Sequence, residues 1–291
     1  MHRRAAPLAL TATLAALLAA GASTPLAAQD EGGPDEGDVA AYGAISYTPL
    51  GALPPVTRAD LGGTGTRRVA VHAQLGYAEQ TGPFSRRSYG VGVDLPVGRS
   101  TLTFSGGFID FACDEDELNE GGILDVQAEC NSGFMGGASW FTPLVRTPIG
   151  SSADAAITVG VDAAIGASTF DAYEFTINDP IDPELSGSLA LDGSALSAGV
   201  GFPFALPLRS GGITLTPHLT PRFAFGRMSV KVTDSELGAE EDAESGTRFM
   251  LGGGIGMLFA SSGLGVDVGF QRVFIEDGDT LVGIGVSYHR H

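Results

Sequence analysis

His72 and Gln74 sit in RRVAVHAQLGYAEQ, alternating with Val71, Ala73 and Leu75. Asp94 sits in SYGVGVDLPVG, between Val93 and Leu95. Asp162, His218, Arg222, Asp267 and Gln271 repeat the pattern further along, as does Ser139. Each is a lone polar group at an alternate position in an apolar or glycine-rich run. At period two, such residues share one face of a strand and the apolar residues share the other. A histidine beside a carboxylate can form a pH-sensitive pair or half of a hydrolytic dyad. A turn near residues 82–85 would make opposed positions add to about 166, which sets His72 across from Asp94. Arg222 has Asp162 and Asp267 as candidate partners. The simpler chemistry is a set of ion pairs that fills an interior. It is favoured because no histidine lies in the acidic segments between the runs, where a substrate would enter.

Those acidic segments are the second chemical feature. Residues 30–38, 114–129, 171–184, 234–244 and 276–279 hold most of the acids, and the formal charge is −18. Such a chain does not bind nucleic acid by neutralising phosphates. CDEDELNEGG offers hard oxygen ligands, but its spacing is not that of an EF-hand loop, so solvated loops without a metal are expected. Cys113 and Cys130 bracket one acidic segment and are the only cysteines, which predicts a disulfide in an exported chain. Two cysteines with no histidine nearby are no zinc signature. GVGVD and GGGIG lie in alternating runs with no helix to follow, so a phosphate loop is excluded. No cofactor is expected.

The elements that carry these residues are strands. Alternation predicts ten, at about 67–80, 87–97, 100–111, 132–142, 154–169, 187–204, 212–230, 247–259, 263–275 and 280–289. A hairpin within 39–66 would raise the count to twelve. Several runs exceed the usual strand length of ~5–6 residues and reach the ~9–11 that a tilted membrane strand needs. Connections alternate between short, as in PVGR and ASSG, and long or acidic, with the long ones at 112–131, 170–187 and 231–247. Tyr77, Tyr89, Trp140, Phe141, Phe170, Tyr173, Phe202, Phe204, Phe259 and Tyr288 fall near strand ends, where interfacial girdles form. The fold class is all-β: a closed, antiparallel, up-and-down transmembrane β-barrel. A soluble sandwich would explain neither the strand lengths nor the loop asymmetry.

Ahead of the strands, residues 1–28 combine Arg3 and Arg4, an apolar stretch and small residues before Ala28, which is the pattern of a cleaved secretory signal. Residues 29–66 form an acidic leader and linker, and 67–291 the barrel.

From about Arg67 the chain resembles the small outer-membrane β-barrel proteins of Gram-negative-type bacteria. The resemblance rests on the alternation, the loop asymmetry and the final strand. There Val282, Ile284, Val286 and Tyr288 look like the family's assembly signal, although His289, Arg290 and His291 follow the aromatic. The resemblance implies residence in the outer membrane, with outer-membrane lipid and the barrel-assembly machinery as partners. It implies a structural or narrow-channel, porin-like role with His72, Gln74, Asp94, Asp162, His218, Arg222, Asp267 and Gln271 in the lumen. The alternatives are a surface binding or adhesion barrel acting through the acidic loops on an unknown ligand, and an outer-membrane hydrolase. No enzymatic role is expected.

Overall fold

The computed structural model describes residues 69–79, 84–113, 125–149, 155–178, 187–234, 238–274 and 280–290. Residues 1–66, expected to be a signal segment and a leader, lie outside the described residues. The strands are β1 (Ala70–Glu79), β2 (Phe84–Val97), β3 (Ser100–Cys113), β4 (Asp125–Cys130), β5 (Ser132–Pro148), β6 (Ala156–Asn178), β7 (Gly187–Gly201), β8 (Phe204–Ala205), β9 (Leu208–Ser210), β10 (Ile213–Asp234), β11 (Gly238–Phe259), β12 (Leu264–Val273) and β13 (Thr280–His289).

Thirteen strands make ten walls. β7, β8 and β9 keep one register against β10, with Gly201 opposite Arg222, Ala205 opposite His218 and Ser210 opposite Ile213. They are one wall interrupted at Pro203 and Pro207, which have no amide to donate. The ladder survives through the proline carbonyls, since Gly160 N–H donates to Pro203 O. β4 and β5 likewise share one register against β6, with Cys130 opposite Tyr173 and Gly133 opposite Phe170. Every wall is antiparallel to its neighbours, and β13 pairs β1 from Ala70–His289 to Ala78–Leu281. The ladder is therefore closed at ten among the described residues; the hairpin considered within 39–66 lies outside them.

Alternation decides which face each residue takes. Val282, Ile284, Val286 and Tyr288 point outward, each 45–52 % exposed, while Leu281, Ser287 and His289 point inward and are buried. Val91, Phe104, Phe134, Ile165, Phe223, Ile255 and Val268 extend the exposed apolar band around the barrel. A band of this size on all sides is a lipid-facing surface. Phe108 and Phe134 meet at 5.1 Å, Phe223 and Phe249 at 5.3 Å, and Phe249 and Phe274 at 5.5 Å, forming part of a girdle away from the chain ends. Three expected girdle aromatics differ: Phe141 and Phe170 are buried, and Tyr173 packs on Phe111 inside. Phe141 and Phe170 have the inward parity of their strands, and Tyr173 gains it from the register shift after Asp171.

The turns beside the chain ends are tight. Gly98 supplies the left-handed φ of the two-residue β2–β3 turn, and Gly211 and Gly212 do so between β9 and β10. Much of the opposite end is sheet among the described residues. Segments expected as loops within 170–187 and 231–247 continue as sheet, because β6, β10 and β11 run 23, 22 and 22 residues. β4, β6, β7, β10 and β11 thus extend the wall into a five-stranded crown beyond the apolar band. Above Phe225 the crown rises roughly 25–30 Å along β10, at ~3.3 Å per residue.

Cys113 and Cys130 form a disulfide at a Cα–Cα distance of 5.9 Å, joining the end of β3 to the crown strand β4. A closed loop of this size contributes about 3 kcal/mol by restricting the unfolded chain. Replacing both cysteines with serine will leave the barrel's heat-dependent gel mobility intact. Limited proteolysis will then cut between Cys113 and Cys130, where the oxidised protein resists.

Candidate functional site

The inward residues near the chain ends form a polar layer. Asp94 is 1 % exposed, Asp162 0 % and Asp267 1 %. His72, His218, Arg222 and Gln271 are also buried, while Gln74 and Ser139 are partly exposed. Register explains how such groups fit a narrow lumen. His72 pairs Gly92, Gln74 pairs Gly90, Asp162 and Arg222 both pair Gly201, His218 pairs Gly254, Gln271 pairs Gly252, and Asp267 pairs Gly256 and Gly285. A Cβ on Gly92 would collide with the His72 ring, and one on Gly201 with the Asp162 carboxylate. His72, Gln74, Asp162, His218 and Arg222 therefore lie in space left by glycine on the adjoining strand.

His72 Nδ1 lies 3.4 Å from Asp94 Oδ2. The two are diagonal neighbours, because Asp94 pairs with Ala70 rather than with His72. The hairpin register is thus two residues from the one expected, and side-chain length closes the gap. Thr103 Oγ1 donates to Asp94 Oδ1. The carboxylate lies between hydroxyl and imidazole, so the hydroxyl is not activated by the histidine as a nucleophile would be. Arg222 Nη2 donates to Asp162 Oδ2 at 2.5 Å, across β7 from β10 to β6. Of its two candidate partners Arg222 thus takes Asp162. Both Asp267 oxygens are buried without a hydrogen bond among the described residues. Ser287 Oγ and His289 Nε2 are 3.1 Å apart, a contact that places the chain's C-terminal tail partly inside the lumen and that strand alternation alone foretells.

Above the polar layer the lumen turns apolar. Ile109, Phe111, Met135, Phe170 and Ala195 form a buried cluster, with Cys130, Tyr173 and Met228 against it. The inward residues were expected to be polar or small, and this cluster departs from that. It lies where the lumen opens into the crown.

On the crown's convex face, register sets Asp171 opposite Asp192, Asp192 opposite Lys231 and Lys231 opposite Glu241. Glu241 accepts a hydrogen bond from Ser229 Oγ at 2.8 Å. Asp171 has its pKa raised above 3.8, first by its hydrogen bond with Asp192, then by burial and the negative charges of Asp192 and Glu174. No cluster of three or more metal-ligating side chains occurs among the described residues.

A closed ten-stranded ladder with an apolar exterior and a polar layer inside defines a transmembrane β-barrel of the outer-membrane type. No protein-family model matches the chain, and neither does any curated protein. Among solved structures, it is similar to the outer membrane protease OmpT of Escherichia coli, at 9 % identity and a TM-score of 0.44 over 78 % of this chain and 98 % of that one. It is similar to the translocator domain of the autotransporter NalP of Neisseria meningitidis, at 14 % identity and a TM-score of 0.37 over 76 % and 87 %. A major outer membrane protein of Thermus thermophilus matches at 12 % identity and a TM-score of 0.34 over 76 % and 99 %.

Two outcomes follow from this geometry. Asp162→Ala removes the carboxylate that the buried Arg222 Nη2 binds and will cost about 3–5 kcal/mol in urea unfolding. Asp267→Asn removes a buried charge that has no ion pair and will leave the midpoint equal or higher. In the crown, a native pKa raised at Asp171 means its stabilising share is complete below about pH 3.8 and is lost as pH rises through the raised value. Asp192→Asn will flatten that dependence, seen as pH-insensitive hydrogen-exchange protection of the β6–β7 ladder after correction for intrinsic rates.

Proposed function

We propose that this protein is a closed, non-conducting outer-membrane barrel that mounts its crown as a binding surface outside the cell. The observation that carries this is the polar layer. His72, Asp94, Thr103, Phe141, Asp162, Pro203, Thr216, Leu258, Asp267 and Ser287 come one from each wall, and all are buried. Inward side chains packed from ten walls at one end of the lumen leave little room for a water-filled path. The long strands β6, β10 and β11 spend about half their residues beyond the apolar band, which a purely structural barrel does not need. The role is non-enzymatic. The His72–Asp94 pair is shut away from substrate, and its neighbouring hydroxyl bonds the acid.

The same proposal has the chain exported through its N-terminal segment and inserted by the barrel-assembly machinery through the pattern ending at Tyr288. In planar bilayers, refolded protein will show no stable stepwise conductance. Steady open channels would return the porin-like reading and remove this one.

A further inference from the structure

The two faces of the crown differ. β6 has one extra residue against β7 between Asp171 and Tyr173, which is a β-bulge. It changes the parity of β6, so Tyr173 and Phe175 join the inner face, stacked at 5.9 Å. Tyr173 also meets Phe111 of the lumenal cluster at 5.5 Å, which makes this face continuous with the barrel interior. Register adds Ala128 from β4, Leu189 and Leu191 from β7, and Val230 and Val232 from β10. All of these are partly exposed. The face is concave, since it prolongs the inside of a barrel wall, and apolar, although it stands outside the lipid band.

One margin of this shelf is acidic. On β11 Asp242 pairs with Val230 at this margin. Asp242 is exposed. Four strand spacings of ~4.8 Å give a width of about 19 Å, enough for a helix of ~10–12 Å diameter.

We infer that this shelf binds a cationic amphipathic peptide, with its apolar side on Leu191, Val230 and Tyr173 and its cations against β11. The inference rests on the reading of the crown as the binding surface and goes further by naming the partner's chemistry. Apolar floor and acidic margin together select it. Anionic lipid would be repelled at the margin, and a cation without an apolar side would leave the floor exposed to water.

The test uses the full barrel in zwitterionic nanodiscs and a fluorescein-labelled synthetic 14-residue Leu/Lys amphipathic helix, read by anisotropy against empty discs. Binding is expected, and Leu191→Asp or the milder Val232→Ser will weaken it tenfold or more. Asp242→Lys will weaken it at least threefold. Glu241→Lys, on the convex face beside Ser229, will leave it unchanged. Unaltered heat-dependent gel mobility will show that each variant is folded. The inference is overturned if Glu241→Lys weakens binding as much as Asp242→Lys, since charge then acts diffusely. Equal binding of a Ser/Lys peptide, or of a Leu/Glu peptide, would overturn it as well. Absent binding by a barrel that also does not conduct would remove the shelf while leaving the closed barrel in place.

Discussion

Hydrocarbon offers no water to a backbone amide, so every peptide group of this wall must find its partner within the protein. The β1–β13 seam meets that demand. Once the ladder closes, no strand in the lipid band has an edge. The other properties follow from closure. Outward residues are apolar because they meet lipid, and inward residues must fit a lumen of fixed, small bore. Prolines are tolerated at 203, 207, 217 and 221 because the remaining carbonyls still accept bonds from neighbouring walls.

The small bore gives glycine its role here. Forty-three glycines would weaken most strands, since glycine loses more freedom on folding than any other residue. In this lumen they are what lets charged and polar side chains lie flat against a neighbouring strand. The Arg222–Asp162 pair shows the geometry, with both side chains over the bare Cα of Gly201. Desolvating such a pair is costly and its mutual attraction roughly offsets that cost. Its main contribution is then to specify which wall lies two away from which.

Much of this was legible in the sequence. Period-two alternation located all ten walls, because it survives small errors in strand ends. Loss of legibility had specific causes. His72 and Asp94 came together diagonally because hairpin register depends on the turn, which alternation does not encode. Arg222 could not be assigned to Asp162 over Asp267 because the choice depends on β7 lying between β6 and β10. The crown was taken for loops because its convex face is rich in acids, a composition shared by sheet and coil. A single bulge residue near Asp171 then shifted Tyr173 from the outer girdle to the inner shelf.

The seam also has a consequence in time. Ala70 pairs with His289, so the first wall cannot find its second neighbour until the last wall has been made and delivered. Contacts between chain ends form slowly, because the loop they close is nearly the whole barrel. Until then both terminal walls carry open edges and a greasy face. The chain crosses from synthesis to membrane as an unfinished sheet. Its mutually repelling acidic segments are well placed to keep those unfinished sheets apart.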